Sequence, residues 1–141
     1  MRSNRAEEAP IPAISVEHVM PQEWTENYPL VGEMVPKEMN NYWFFGGTDE
    51  EKQRYERLRP LIQQRRELIH CVGNLTVVTQ PLNAAMRNAR FDQKKDYFRE
   101  SVLALNRYFD PITEWNEHAI QERADNLFRH ASTIWVGPIA T

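Results

Sequence analysis

A chain of 141 residues has room for one ordinary domain with a real core and not for two comfortable ones. Its 41% hydrophobic and 26% charged composition, with four Trp, five Tyr and six Phe, excludes a disordered chain. The formal net charge of −3 excludes a protein that coats nucleic acid by bulk electrostatics, so any contact with a polyanion must be local.

Residues 1–12 are polar, charged and proline-terminated without periodicity, which reads as a linker ahead of a domain over 13–141. In residues 13–20 the branched Ile14, Val16 and Val19 predict a short strand that Pro21 stops, because proline cannot donate to a ladder. Glu17 and His18 therefore fall at a strand end. Residues 22–47 mix Trp24, Tyr28, Tyr42, Trp43, Phe44 and Phe45 with prolines and glycines, an irregular stretch anchored by aromatics and closed by Gly46-Gly47. Thr48 and Glu51 form a capping-box pattern. Tyr55, Leu58, Ile62 and Ile69 then recur at helical spacing, so a helix over about 49–68 is expected, kinked or restarted at Pro60. Its basic run over 52–66 reads as a solvated face at least as well as a DNA contact.

The single cysteine, Cys71, excludes an internal disulfide. With no apolar run long enough for a signal or membrane segment, it suggests a reducing cytoplasm and no membrane partner. Cys71 is expected to pack as a small hydrophobe, since a side chain adjacent to His70 on a strand points to the other face. Residues 72–79 form a second β-prone run able to pair with the first. Pro81 suits the opening turn of a helix with an apolar edge of Leu82, Ala85 and Met86, which puts Asn83 in its first turn. Residues 87–99 carry five cations against two acids, a second candidate for local DNA contact. Helices are expected over 93–109 (Tyr97, Ser101, Leu105, Tyr108) and 116–135 (Ile120, Leu127, Ala131, Ile134). Trp115, Arg123 and Trp135 are assigned to the core, His118 and His130 to the surface. The fold class that results is α+β, mostly helical, with a short antiparallel hairpin and several packed helices.

Glu17-His18 ending one strand, Asn74 on the second and Asn83 heading the next helix can converge although 65 positions separate His18 from Asn83. Phosphodiester hydrolysis needs an activated water and a cation that stabilises the phosphorane charge. A neutral imidazole such as His18 can take the water's proton, and a hard cation such as Mg²⁺ prefers oxygen ligands of the Glu17 and Asn83 kind. By residue type alone, a structural or surface role for a lone His beside a Glu is the commoner alternative.

SVEHVMPQ followed by GNLTVVTQPLN resembles the HNH nuclease pattern, in which an Asn-Leu strand leads, nine positions on, to an Asn or His opening the helix; Asn74 and Asn83 show that spacing. More closely, the chain resembles the C-terminal nuclease domain of GmrSD-type, modification-dependent restriction enzymes. This similarity rests on His18-Val19-Met20-Pro21, on HCVGNLTVVTQPLNAAMRNARFDQKK, on residues 97–101, and on Trp115, Ile120, Arg123 and Trp135. The resemblance implies a ββα-metal core and a Mg²⁺- or Mn²⁺-dependent DNA endonuclease in a restriction or phage-defence system. It implies His18 as general base and Glu17 and Asn83 as metal ligands, with Asn74 bracing the hairpin and helping to orient His18. Glu17 stands where many HNH nucleases have Asp. His70, Lys94, Arg87 and Arg90 are candidate substrate contacts; for His70 packing, and for Lys94 a plain surface position, are the alternatives. The expected substrate is double-stranded DNA, with recognition of modified DNA assigned to another domain or subunit. The chain has no Gly-x-x-x-x-Gly-Lys loop, so a targeting or NTPase domain or subunit is the expected partner, and homodimerisation stays open. A non-catalytic DNA-binding module, and a docking domain using the aromatic segment 24–45, remain as other classes.

Overall fold

Ile14–His18 (β1) and Leu75–Thr79 (β2) pair antiparallel in a two-stranded sheet, with Glu17 opposite Thr76 and His18 opposite Leu75. The computed structural model describes residues 12–41, 47–135 and 137. Period-two alternation splits the hairpin into two faces. Ile14 and Val16 stand 53% and 59% exposed on the outer face, which His18 shares, while Glu17, Thr76 and Val78 are buried on the inner one. Residues 1–11 of the expected 1–12 linker, Gly46 and the aromatics Tyr42, Trp43, Phe44 and Phe45 lie outside the described residues.

The capping box is present: Thr48 Oγ1 accepts from the Glu51 N–H at 3.1 Å and Glu51 Oε2 from the Thr48 N–H at 3.2 Å. The helix it starts, α1 (Asp49–Ile69), neither stops nor restarts at Pro60. One missing N–H is tolerated because Leu58, Ile62, Arg65 and Ile69 are buried on either side of it. Arg65 is only 1% exposed; it donates to the carbonyls of Tyr28 (2.9 Å) and Pro29 (3.0 Å), pairs with Glu117 and lies 4.6 Å over the Trp24 ring. The irregular segment is thus fastened to α1 by a guanidinium as well as by Trp24 and Tyr28, both core residues.

Val72–Asn74 is a 3-10 turn rather than the start of the second strand. Packing decides this: a Cβ on Gly73 would come within 2.1 Å of the Ile120 carbonyl oxygen, so only glycine lets the turn sit against the last helix. Pro81 opens α2 (Gln80–Met86) as expected. The single helix expected over 93–109 is instead α3 (Phe91–Glu100) and a 3-10 segment, Ala104–Phe109. Between them Ser101 is extended and buried, its hydroxyl accepting from the Leu103 N–H (3.2 Å) and the Asn106 amide (2.8 Å); serine's local bonding wins over helix continuation.

Helix α4 (Glu117–Ile134) is capped by Asn116, whose Oδ1 accepts from the Ala119 N–H at 3.0 Å. Trp115 is buried and Arg123 is 1% exposed, donating to the carbonyls of Gly73 (3.0 Å) and Leu75 (2.6 Å). Trp135 is not in the core, being 74% exposed, and Phe128 and Ile134 are exposed with it. The fully buried residues of α4 all lie in its first two turns; further on Leu127 and Ala131 are only half-buried. The observed class is α+β, mostly helical, with one short hairpin.

Candidate active site

Asn74 is fully buried, and its amide makes four hydrogen bonds. Oδ1 accepts from the Met20 N–H (2.8 Å) and the Trp115 indole (2.9 Å), while Nδ2 donates to the carbonyls of Met20 (2.8 Å) and Ile69 (2.9 Å). Its own carbonyl accepts from the Val19 N–H at 2.8 Å. One side chain thereby joins the residues just after His18 to the end of α1, just before His70. A side chain with its donors and acceptors engaged in this way cannot swing to substrate, so Asn74 braces the hairpin and ties together the backbone beside both histidines.

The clamp brings two imidazoles together. His18 Nε2 lies 3.4 Å from His70 Nδ1, the rings perpendicular at 88° with centroids 5.4 Å apart. His18 is half-buried and His70 exposed at the C-terminal end of α1. Burial first, then the neighbouring His70 and Lys94, hold the His18 imidazole below its ordinary value, which keeps it neutral near pH 7. Nothing in the sequence pairs these histidines, which are 52 positions apart.

Behind His18, Glu17 meets Lys94. The lysine is 0% exposed; its Nζ donates to Glu17 Oε1 at 2.5 Å and to the His18 carbonyl at 2.7 Å. Burial pushes the Glu17 carboxyl up and the Lys94 ammonium down, each against the opposing pull of its partner. The expected surface or substrate-contact role for Lys94 does not match this placement, because an enclosed ammonium cannot reach a phosphate. Helical spacing carried the signal: Lys94 is three residues after Phe91 and four before Phe98, both buried on the inner seam of α3.

Asn83 lies over the start of β1, its Nδ2 donating to Ser15 Oγ at 2.8 Å. Ser15 shares the Glu17 face of the strand. The Tyr28 hydroxyl, 3.2 Å from the Val19 carbonyl and 3.0 Å from that of Ala89, draws the chain after α2 alongside the His18 end of the hairpin. Arg87 and Arg90 flank Ala89 and are exposed. Arg90 pairs with Asp92 at 2.9 Å; Arg87 closes α2 at φ 40°, a left-handed conformation costly for a residue with a Cβ. Beside His70, a cleft of about 200 Å³ is lined by Gln22, Trp24, Asn40, Arg66 and Ile69.

Glu17 Oε2 and Asn83 Oδ1 accept no hydrogen bond among the described residues. Both are oxygen donors on one face of β1, which suits a hard divalent cation, with Lys94 retaining the other carboxylate oxygen. The described residues hold no group of three or more His, Cys, Asp or Glu side chains, so an all-protein cage of the zinc type is not built here. Among the same residues, no helix is long and apolar enough to cross a membrane.

No curated protein and no solved structure matches the chain. The family described as "GmrSD restriction endonucleases, C-terminal domain" matches residues 1–130, nearly the whole chain. That span includes the clamp, both histidines, the Glu17–Lys94 pair and Asn83. The chain accordingly belongs to the family of GmrSD restriction endonuclease C-terminal domains, a nuclease domain family.

Proposed function

We propose that this domain is a metal-dependent DNA endonuclease in which β1, β2 and α2 form a ββα-metal core and His18 is the general base. The observation that supports it best is the His18 ring, neutral by environment, partly open to solvent and held at the end of β1, the strand whose other face carries Glu17. A water in contact with the free nitrogen of His18 loses its proton to the ring as its oxygen attacks a phosphodiester phosphorus. Glu17 and Asn83 would hold Mg²⁺ or Mn²⁺, whose chemistry there is to offset charge on the phosphate and on the departing oxygen. Arg87 and Arg90, on the same rim, bind backbone phosphates and orient the duplex. Lys94 keeps the Glu17 carboxylate in place from behind.

In this reading the chain is the cleavage module of a modification-dependent restriction or phage-defence system, acting in a reducing cytoplasm on double-stranded DNA. Recognition of modified bases and NTP use belong to another domain or subunit, and cutting both strands calls for two copies. The test is His18→Ala. Nicking of plasmid DNA with Mg²⁺ or Mn²⁺ should fall by at least about 100-fold, in the range of a lost general base, with DNA retention on a filter kept. If purified wild-type protein binds DNA and does not cut it with either ion, or if the variant cuts as well as wild type, the reading fails.

A further inference from the structure

Where two imidazoles that each carry one hydrogen face each other nitrogen to nitrogen, a single hydrogen lies at the contact, and which ring carries it decides what the other can do. At the 3.4 Å contact between His18 Nε2 and His70 Nδ1, only two arrangements are available. If His70 Nδ1 carries the hydrogen, it occupies the lone pair of His18 Nε2; His18 then carries its own proton on Nδ1, and neither nitrogen can receive another from water. If His18 Nε2 carries the hydrogen and donates it to His70, the Nδ1 lone pair of His18 is left open.

We propose that His70 is a positioning residue: its Nδ1 accepts the Nε2–H of His18 and so fixes the base in the tautomer whose Nδ1 faces the attacking water. The inference rests on His18 being the base. It assigns His70 a role other than phosphate contact or packing.

The frame around the pair is built for such a purpose. Asn74 ties Met20, two residues after His18, and Ile69, one residue before His70, through the same amide. Lys94 holds the His18 carbonyl at 2.7 Å, which fixes the backbone from which the ring projects. Thus the ring bearing the donor and the ring bearing the acceptor are each set by a buried contact, while His70 itself stays on the surface where packing asks little of it. Its substitution should therefore leave the fold intact.

The experiment compares the full chain with His70→Ala and with His70→Asn, whose amide oxygen takes roughly the place of Nδ1. Side-chain ¹⁵N spectra recorded in EDTA at about pH 8, where imidazoles are neutral, read the His18 tautomer directly. Wild type should show His18 protonated on Nε2, the Ala variant a mixture, and the Asn variant the wild-type form. In single-turnover cleavage the Ala variant should lose about 10- to 100-fold in rate, as orienting partners usually do, with KM within about twofold, and Asn should recover most of it. A wild-type His18 protonated on Nδ1, or an Ala variant with unchanged tautomer and rate, overturns the inference. So does a pair of signals that moves together on adding one equivalent of Zn²⁺ and returns in EDTA with no tautomer preference, since that marks shared metal ligation. Should wild type not cleave at all, the proposed function fails and the spectra alone decide the tautomer.

Discussion

Glu17 and Lys94 are buried against each other, and for both burial moves the titration toward the neutral form against the attraction between them. A buried ion pair is by itself weak evidence for stability, and functional sites are where such pairs collect. Removing one partner is a different matter. Lys94→Met should destabilise the domain by about 3–5 kcal/mol in denaturant, because the carboxylate is left buried alone; the double variant with Glu17→Gln should regain most of that. A single variant within about 1 kcal/mol of wild type would contradict the burial described. For His18 the sign runs the other way from a partnered histidine. Its value is lowered, so the ring stays unprotonated further into acid, and cleavage should hold down to about pH 6.5 and fall only below it. Single-turnover rates from pH 5 to 8 check this, and an acid limb above about 6.5 contradicts it. The same shift means that the unfolded chain takes up this proton first, so stability is lost as pH falls from about 6.5 through the lowered value. The residues of the candidate site were largely legible from Glu17-His18, Asn74 and Asn83. Their contacts were not, because a lysine 77 positions away and a histidine 52 away meet them only in three dimensions.

Among the elements, β1, β2, α1, α2 and α4 follow from branched runs, the capping box, Pro81 and Asn116. Sequence periodicity failed where one buried polar residue redirected the backbone, as Ser101 does between α3 and the 3-10 segment that follows. It also overreached at Trp135, where the apolar repeat of α4 continues past its last buried turn. The contact that holds α4 to the hairpin turn has little slack. Gly73→Ala would set a methyl 2.1 Å from the Ile120 oxygen and 3.0 Å from the Ala124 nitrogen, both backbone atoms of a regular helix. A loss of about 3 kcal/mol or more is expected in thermal or denaturant unfolding; a change below about 1 kcal/mol would mean that the turn and α4 do not touch as described.

For the molecule as a whole, the distribution of charge matters more than its sum. Much of the basic run on α1 is engaged internally: Arg54 and Arg57 meet Glu33, Arg65 meets Glu117, and Arg66 donates to Asn40. Arg87 and Arg90 are exposed beside the His18 end of the hairpin, Arg90 paired with Asp92, and under the proposed function Arg87 is a phosphate contact. Arg87→Gln should therefore weaken binding to duplexes of any sequence and reduce the slope of log affinity against log salt by about 1, a change read by titration at several salt concentrations. An unchanged slope would move the phosphate contacts elsewhere. The buried amide of Asn74 has a further consequence at this scale. Because it shares hydrogen bonds with Trp115, the end of α1 and the chain beyond β1, the backbone next to both histidines cannot loosen without opening the interior of the protein, and their relative placement lasts as long as the core does.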